Sequence, residues 1–122
     1  MGEKSSTDMI HGNLDLLVLS ALADERKYGY LIQQSLAAAS AGMVHVQAGT
    51  LYPLLHRLEA EKLVRSSWDH STGRKRKWYE LTPAGRKRLT HQADQWQQYA
   101  ECMSRMLRGA LGSALSPAGG TL

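Results

Sequence analysis

Leu89, Ala93, Trp96, Ala100, Met103 and Leu107 recur at intervals of four, three, four, three and four residues. That period lays one narrow apolar stripe along a helix, as in the seam of a coiled coil. Thr82 and Pro83 stand just before it. They are a favoured N-cap and a favoured first helical residue, so the pattern predicts a helix over residues 83–108. In a chain of 122 residues the rest of the molecule is too small to cover so long a stripe. A second copy of the chain is its expected cover, with those six residues as the candidate dimer interface.

The residues before the seam form a small domain. Ile10, Leu14, Leu17, Val18, Ala21 and Leu22 give residues 9–23 a helical face. A polar break covers residues 24–27. Tyr28, Ile32, Leu36 and Ala39 then mark a second helix, ending at residues 40–42, where Gly42 suits a left-handed cap. Val44 and Val46 alternate with His45 and Gln47, a short strand-like pattern. A third helix is predicted over residues 48–62, with Leu51, Leu54, Leu55, Leu58 and Leu63 facing the core. Pro53 falls near its first turn, where a missing N–H is tolerated.

Residues 64–69 and 77–82 are rich in Val, Trp and Tyr and flank a polar loop with Ser71, Thr72 and Gly73. This is the signal of a hairpin, with Trp68 and Trp78 expected in the core at its base. Formal net charge is +4, and seven of the fifteen Lys and Arg residues fall within residues 74–88, where Glu80 is the sole acid. Arg74, Lys75, Arg76 and Lys77 are consecutive and run into Trp78 and Tyr79. A basic run alone is most often a solvated face. One anchored by aromatic residues is suited to phosphates.

Three helices, a hairpin and a long helix make a fold that is mostly α with a small β-hairpin wing. This is a winged helix-turn-helix domain plus a long C-terminal dimerisation helix. In that layout the third helix enters a major groove, which admits one α-helix, and the wing reaches the flanking backbone. Double-stranded DNA is the expected partner. Candidate contacts are Gln47 just before the third helix, Thr50, Tyr52, Pro53, His56 and Arg57 on it, Arg74, Lys75, Arg76 and Lys77 on the wing, and Tyr28 and Tyr30 at the second helix N-terminus. Arg57 has two readings, a contact to guanine or phosphate, or an ion pair with Glu61 four residues on. Tyr30 likewise either faces phosphate or packs inward, and Gly29 allows close helix packing. Trp96 either packs against its mate in the interface or lines a shared cavity for a small aromatic or planar ligand.

Other classes lack their residues. Cys102 is the sole cysteine, which excludes an intramolecular disulfide and fits a reducing compartment. His11, His45, His56, His70 and His91 do not pair at metal-ligand spacing. No nucleophile–base–acid arrangement or phosphate-loop pattern occurs, so neither catalysis nor a cofactor is expected. No run is long and apolar enough for a membrane span, and the polar start lacks the apolar core of a signal peptide. The expectation is a cytoplasmic protein with a disordered stretch at residues 1–8, a DNA-binding domain over 9–82, the dimerisation helix and a flexible tail over 109–122. A winged-helix module that binds proteins and never DNA is the alternative, since fold alone does not fix function. The basic wing favours DNA.

Several runs resemble PadR-type regulators. They are His11-Gly12-Asn13-Leu14-Asp15-Leu16-Leu17-Val18-Leu19, then Tyr28-Gly29-Tyr30, then Gly49-Thr50-Leu51-Tyr52-Pro53-Leu54-Leu55-His56-Arg57-Leu58-Glu59. After them come Arg74-Lys75-Arg76-Lys77-Trp78-Tyr79 and Tyr79-Glu80-Leu81-Thr82-Pro83-Ala84-Gly85. The similarity covers residues 9–108, and the single long final helix is similar to the shorter branch of the family. It implies a homodimer on a palindromic operator, acting as a repressor, with the last helix as its interface and a small molecule as releasing signal. One departure is Lys62, where such sequences often have Gly. A glycine there would relax a left-handed cap.

Overall fold

The computed structural model describes residues 12–71 and 73–115. In chain order it has α1 (Leu14–Ala21), β1 (Lys27–Tyr28), α2 (Gly29–Ala39), α3 (Ala48–Ala60), β2 (Val64–Asp69), β3 (Arg76–Leu81) and α4 (Pro83–Leu115). This is the winged helix-turn-helix with a long final helix that the residue pattern implies. The stretch expected to be disordered, Ile10, and residues 116–122 of the expected tail lie outside the described residues. The chain divides into two units, one ending at Leu89 and the other starting at Thr90.

Helical spacing decides what the first unit buries. Leu14, Val18, Leu19, Ala21 and Leu22 meet Ile32 and Leu36 of α2 and Leu51, Leu54, Leu55 and Leu58 of α3. Leu63, Val64, Tyr79 and Leu81 close the same core from the wing base. Each fully buried leucine contributes about 2 kcal/mol, so the four of α3 hold it firmly in place. Ala39, at the end of the expected α2 face, is exposed. Leu89, expected in the dimer seam, packs against this core.

The sheet has three strands in the order β1-β3-β2, all antiparallel. The sequence pattern gave the two hairpin strands and a strand-like segment at residues 44–47, but not β1. Lys27 and Tyr28, expected as break and helix start, pair with Tyr79 and Trp78. A two-residue strand carries no alternation to read. The Val44–Val46 alternation is real, since both are buried and His45 and Gln47 are exposed, yet the segment joins no sheet. Side chains hold its backbone instead: Gln33 Nε2 donates to the Val46 carbonyl at 2.7 Å, and Val44 N–H donates to Ser40 Oγ at 2.8 Å.

Of the three helices that end in this unit, α2 and α3 use left-handed residues to do so. After α2, Ala41 has φ 54° and Gly42 φ 85°, so the cap expected at Gly42 begins one residue earlier. After α3, Lys62 takes φ 64°. Its N–H donates to the Glu59 carbonyl and that of Leu63 to the Leu58 carbonyl, both at 2.9 Å, which is the Schellman pattern. Pro53 sits in the second turn of α3 rather than the first, and the helix continues through it. Its missing N–H leaves the Gly49 carbonyl without a helical donor, on an exposed stretch where water can supply one.

Thr82 ties the end of α3 to the start of α4. Its hydroxyl donates to the Lys62 carbonyl at 2.7 Å and accepts from Gly85 N–H at 3.0 Å. Its own N–H donates to the Leu63 carbonyl at 3.1 Å. A Cβ at Gly85 would collide with that Leu63 carbonyl. From there α4 runs past residue 108, so the first seven residues of the expected tail are helical. Ala110, Leu111, Ala114 and Leu115 are strong helix formers that outweigh Gly109 and Gly112.

Candidate nucleic-acid interface

The face of α3 away from the leucines carries Thr50, Tyr52, Pro53, His56 and Arg57, all exposed, with Gln47 exposed at the N-cap. Tyr52 lies against Gly29, where a Cβ would collide with its hydroxyl and ring. That contact seats α3 on the start of α2. Tyr30 points outward and accepts a hydrogen bond from Gln34 Nε2 at 3.0 Å, which removes the inward reading. Arg57 does pair with Glu61, at 3.3 Å, and more closely with Asp15 of α1, at 2.7 Å. The Asp15 hydrogen bond, then its charge, raise the guanidinium pKa further. Arg57 thus clasps α1 to α3, and a base contact would require it to leave two carboxylates.

The register of the hairpin sets the wing chemistry. Val64 faces Leu81, Ser66 faces Tyr79 and Trp68 faces Lys77 across the strands. Side chains alternate along a strand, so these six share the core-side face. Val64, Leu81 and Tyr79 are buried on it. Trp68 is nearer the tip and is 55% exposed. It is therefore not the core residue its composition suggested. Trp78 is on the opposite face, half-buried, with its ring edge-on to Tyr28 at 4.9 Å and 88°.

Aromatic faces hold the wing cations. Lys75 Nζ lies 4.6 Å from the Trp68 ring centre, the Arg76 guanidinium 4.5 Å from that of Tyr28, and Lys77 Nζ 5.7 Å from both Trp68 and Tyr79. Arg26 stacks on Trp78 at 4.7 Å. Wing and helix face each other across a cleft of about 450 Å³. Tyr52 and His56 line one side, Trp68, Lys75, Arg76 and Lys77 the other, with Tyr28 and Tyr30 at the rim. Its lining contains no carboxylate among the described residues. Tyr79 is 1% exposed at the base, and burial pushes its phenol above its ordinary pKa, so it stays a neutral hydroxyl. Sequence reasoning thus named most of the cleft but missed Trp68 and Tyr79, whose cross-strand register was the needed signal.

Two acids near the cleft are already engaged. Asp69 accepts Ser71 N–H at 2.9 Å, a bond that lowers its pKa. Glu59 accepts Ser66 Oγ at 2.6 Å and stands 3.9 Å from Lys77. Lys27 belongs to the core face through its pairing with Tyr79 and is buried. Its ammonium donates to the Ala21 carbonyl at 2.6 Å and to Asp24 at 2.7 Å, holding the Asp24 carboxyl below its usual value.

In the second unit, α4 exposes Trp96, Met103 and Leu107, with Ala93 and Ala100 half-buried. Tyr99, Met106 and Leu111 are exposed too, and the four-three spacing had passed over them. The apolar face is broader than a two-position seam. No helix among the described residues is long and apolar enough to cross a membrane.

Comparison with known proteins agrees with this architecture. The PadR-like family of transcriptional regulators matches residues 18–91. A transcriptional regulator of Mycobacterium tuberculosis is 43% identical over 75 residues, covering 62% of this chain and 67% of that protein. A PadR family regulator from Eggerthella lenta, solved by crystallography, superposes with a TM-score of 0.76 at 33% identity, covering 86% of this chain and 90% of that one. A PadR-like regulator from Bacillus cereus gives 0.73 at 29% identity, covering 83% and 97%. The matched segment takes in the second half of α1, all of α2 and α3, the wing and the start of α4, and the chain belongs to the PadR-like family of transcriptional regulators.

Proposed function

We propose that this regulator is a homodimeric repressor in the cytoplasm, binding a palindromic operator through α3 and the wing. The observation that carries the reading is the carboxylate-free cleft with exposed α3 side chains on one side and three wing cations on the other. Gln47, Thr50, Tyr52, Pro53 and His56 approach base edges and nearby phosphates, while Arg74, Lys75, Arg76 and Lys77 meet the flanking backbone. Tyr28 and Tyr30 add contacts at the start of α2. Arg57 contributes chiefly by fixing the pose of α3. Ala93, Trp96, Ala100, Met103 and Leu107 join two copies, and the half-sites then lie about 34 Å apart. A planar ligand at Trp96 is the releasing signal.

The test is titration of the purified protein against the promoter duplex of its own operon and a scrambled duplex, over a range of salt. The promoter is expected to bind more tightly. Alanine at Arg74, Lys75 and Arg76 together should weaken both duplexes alike and flatten the salt slope by about 0.9 for each phosphate no longer neutralised. Equal, weak binding of both duplexes by the unaltered protein would favour a protein-interaction module instead.

A further inference from the structure

Trp68 is a large aromatic residue that the core does not use, more than half exposed on a strand that projects from the body. Its cross-strand partner is Lys77, and Lys75 is two residues further toward the tip. Both ammonium groups lie over its ring, at 5.7 and 4.6 Å. We propose that Trp68 is a positioning residue for DNA binding, which acts through Lys75 and Lys77 by holding their charges in place without cancelling them. The inference rests on the reading that the wing meets phosphates.

The physical case turns on what else could fix a lysine. A carboxylate partner would orient it but would offset its charge and compete with a phosphate for the same N–H groups. An indole face attracts the ammonium through its quadrupole and carries no net charge. The full positive charge therefore remains for DNA. A free lysine side chain also gives up much rotamer freedom when it docks. Freedom already lost in the unbound wing is not lost again on binding. The acid beside Trp68, Asp69, is turned to the Ser71 backbone N–H rather than to either lysine. Glu59 comes within ion-pair range of Lys77, at 3.9 Å, so the charge that Trp68 holds without a carboxylate beside it is above all that of Lys75. Tyr28 holds Arg76 in the same manner at 4.5 Å, so the arrangement recurs on the other face of the hairpin.

The experiment uses the full chain and a short duplex of mixed sequence, because phosphate contacts need no operator. Binding is read by fluorescence anisotropy at several salt concentrations for the wild type, Trp68→Leu, Trp68→Tyr, the Lys75→Ala/Lys77→Ala pair, and that pair combined with Trp68→Leu. Trp68→Leu is expected to weaken binding about fivefold with the salt slope unchanged, since every cation remains. Trp68→Tyr should restore most of the loss. With both lysines removed, Trp68→Leu should add almost nothing, as two residues acting through one contact are not additive. Should Leu perturb folding, judged by thermal melting, Trp68→Gln removes the π face while keeping a polar surface, and the same loss is expected. An equal loss with and without the lysines would make Trp68 a direct or merely structural contributor and overturn the inference. So would an unchanged affinity in Trp68→Leu. Absence of salt-dependent binding in the wild type would instead refute the DNA-binding reading, and the inference with it.

Discussion

Lys62 is one of two residues, with Ala41, that bear a side chain on a left-handed backbone among the described residues. A left-handed φ of 64° costs a β-carbon-bearing residue about 1–2 kcal/mol. The Schellman bonds around it require that conformation. Lys62→Gly is therefore expected to stabilise the protein by about 1 kcal/mol, read as a higher midpoint in denaturant. This position was legible in the sequence because a family preference for glycine pointed to it. Asp24 was not, since nothing in its neighbours shows that Lys27 is buried. Its depressed pKa contributes stability above the unfolded value of about 3.9, and that contribution is lost as pH falls through the lower folded value. Melting temperature followed from neutrality into acid should drop below about pH 4. Asp24→Asn should make that acid limb shallower.

Among elements, helices were the most legible, because a 3.6-residue period over three turns needs little else. The leucines of α3 fell on the core face as their spacing required. Elements set by register or by distant contacts were hidden. Lys27–Tyr28 became a strand through Trp78 and Tyr79, and the Arg57–Asp15 pair joins residues far apart in the chain. The junction from α3 to α4 gives the sharpest prediction at this scale. Helix propensity favours Gly85→Ala by about 1 kcal/mol. The collision with the Leu63 carbonyl opposes it, and overpacking against rigid backbone costs about 3 kcal/mol. The net expectation is a destabilised protein with a lower thermal midpoint. A gain would show that the junction yields easily.

For the whole molecule, the exposed band on α4 is the feature a lone chain leaves unexplained. Trp96, Tyr99, Met103, Met106, Leu107 and Leu111 together form an apolar face larger than scattered surface residues provide. Trp96→Arg should give a monomer in sedimentation, and a variant that remains dimeric would place the interface elsewhere. The sequence pointed to a partner surface, since the seam outran the available core, but the breadth of the exposed apolar face emerged only once the helix was seen to continue through Leu115. The two glycines that permit close approach also differ in what a genetic screen would find. At Gly29 the obstacle is the end of the Tyr52 side chain, so the damage of Gly29→Ala can be suppressed by a smaller residue at position 52. At Gly85 the obstacle is a backbone carbonyl, which every amino acid at position 63 carries. No side-chain replacement there removes it, so Gly85→Ala has no simple partner mutation, and evolution can revisit position 29 by paired steps that position 85 does not offer.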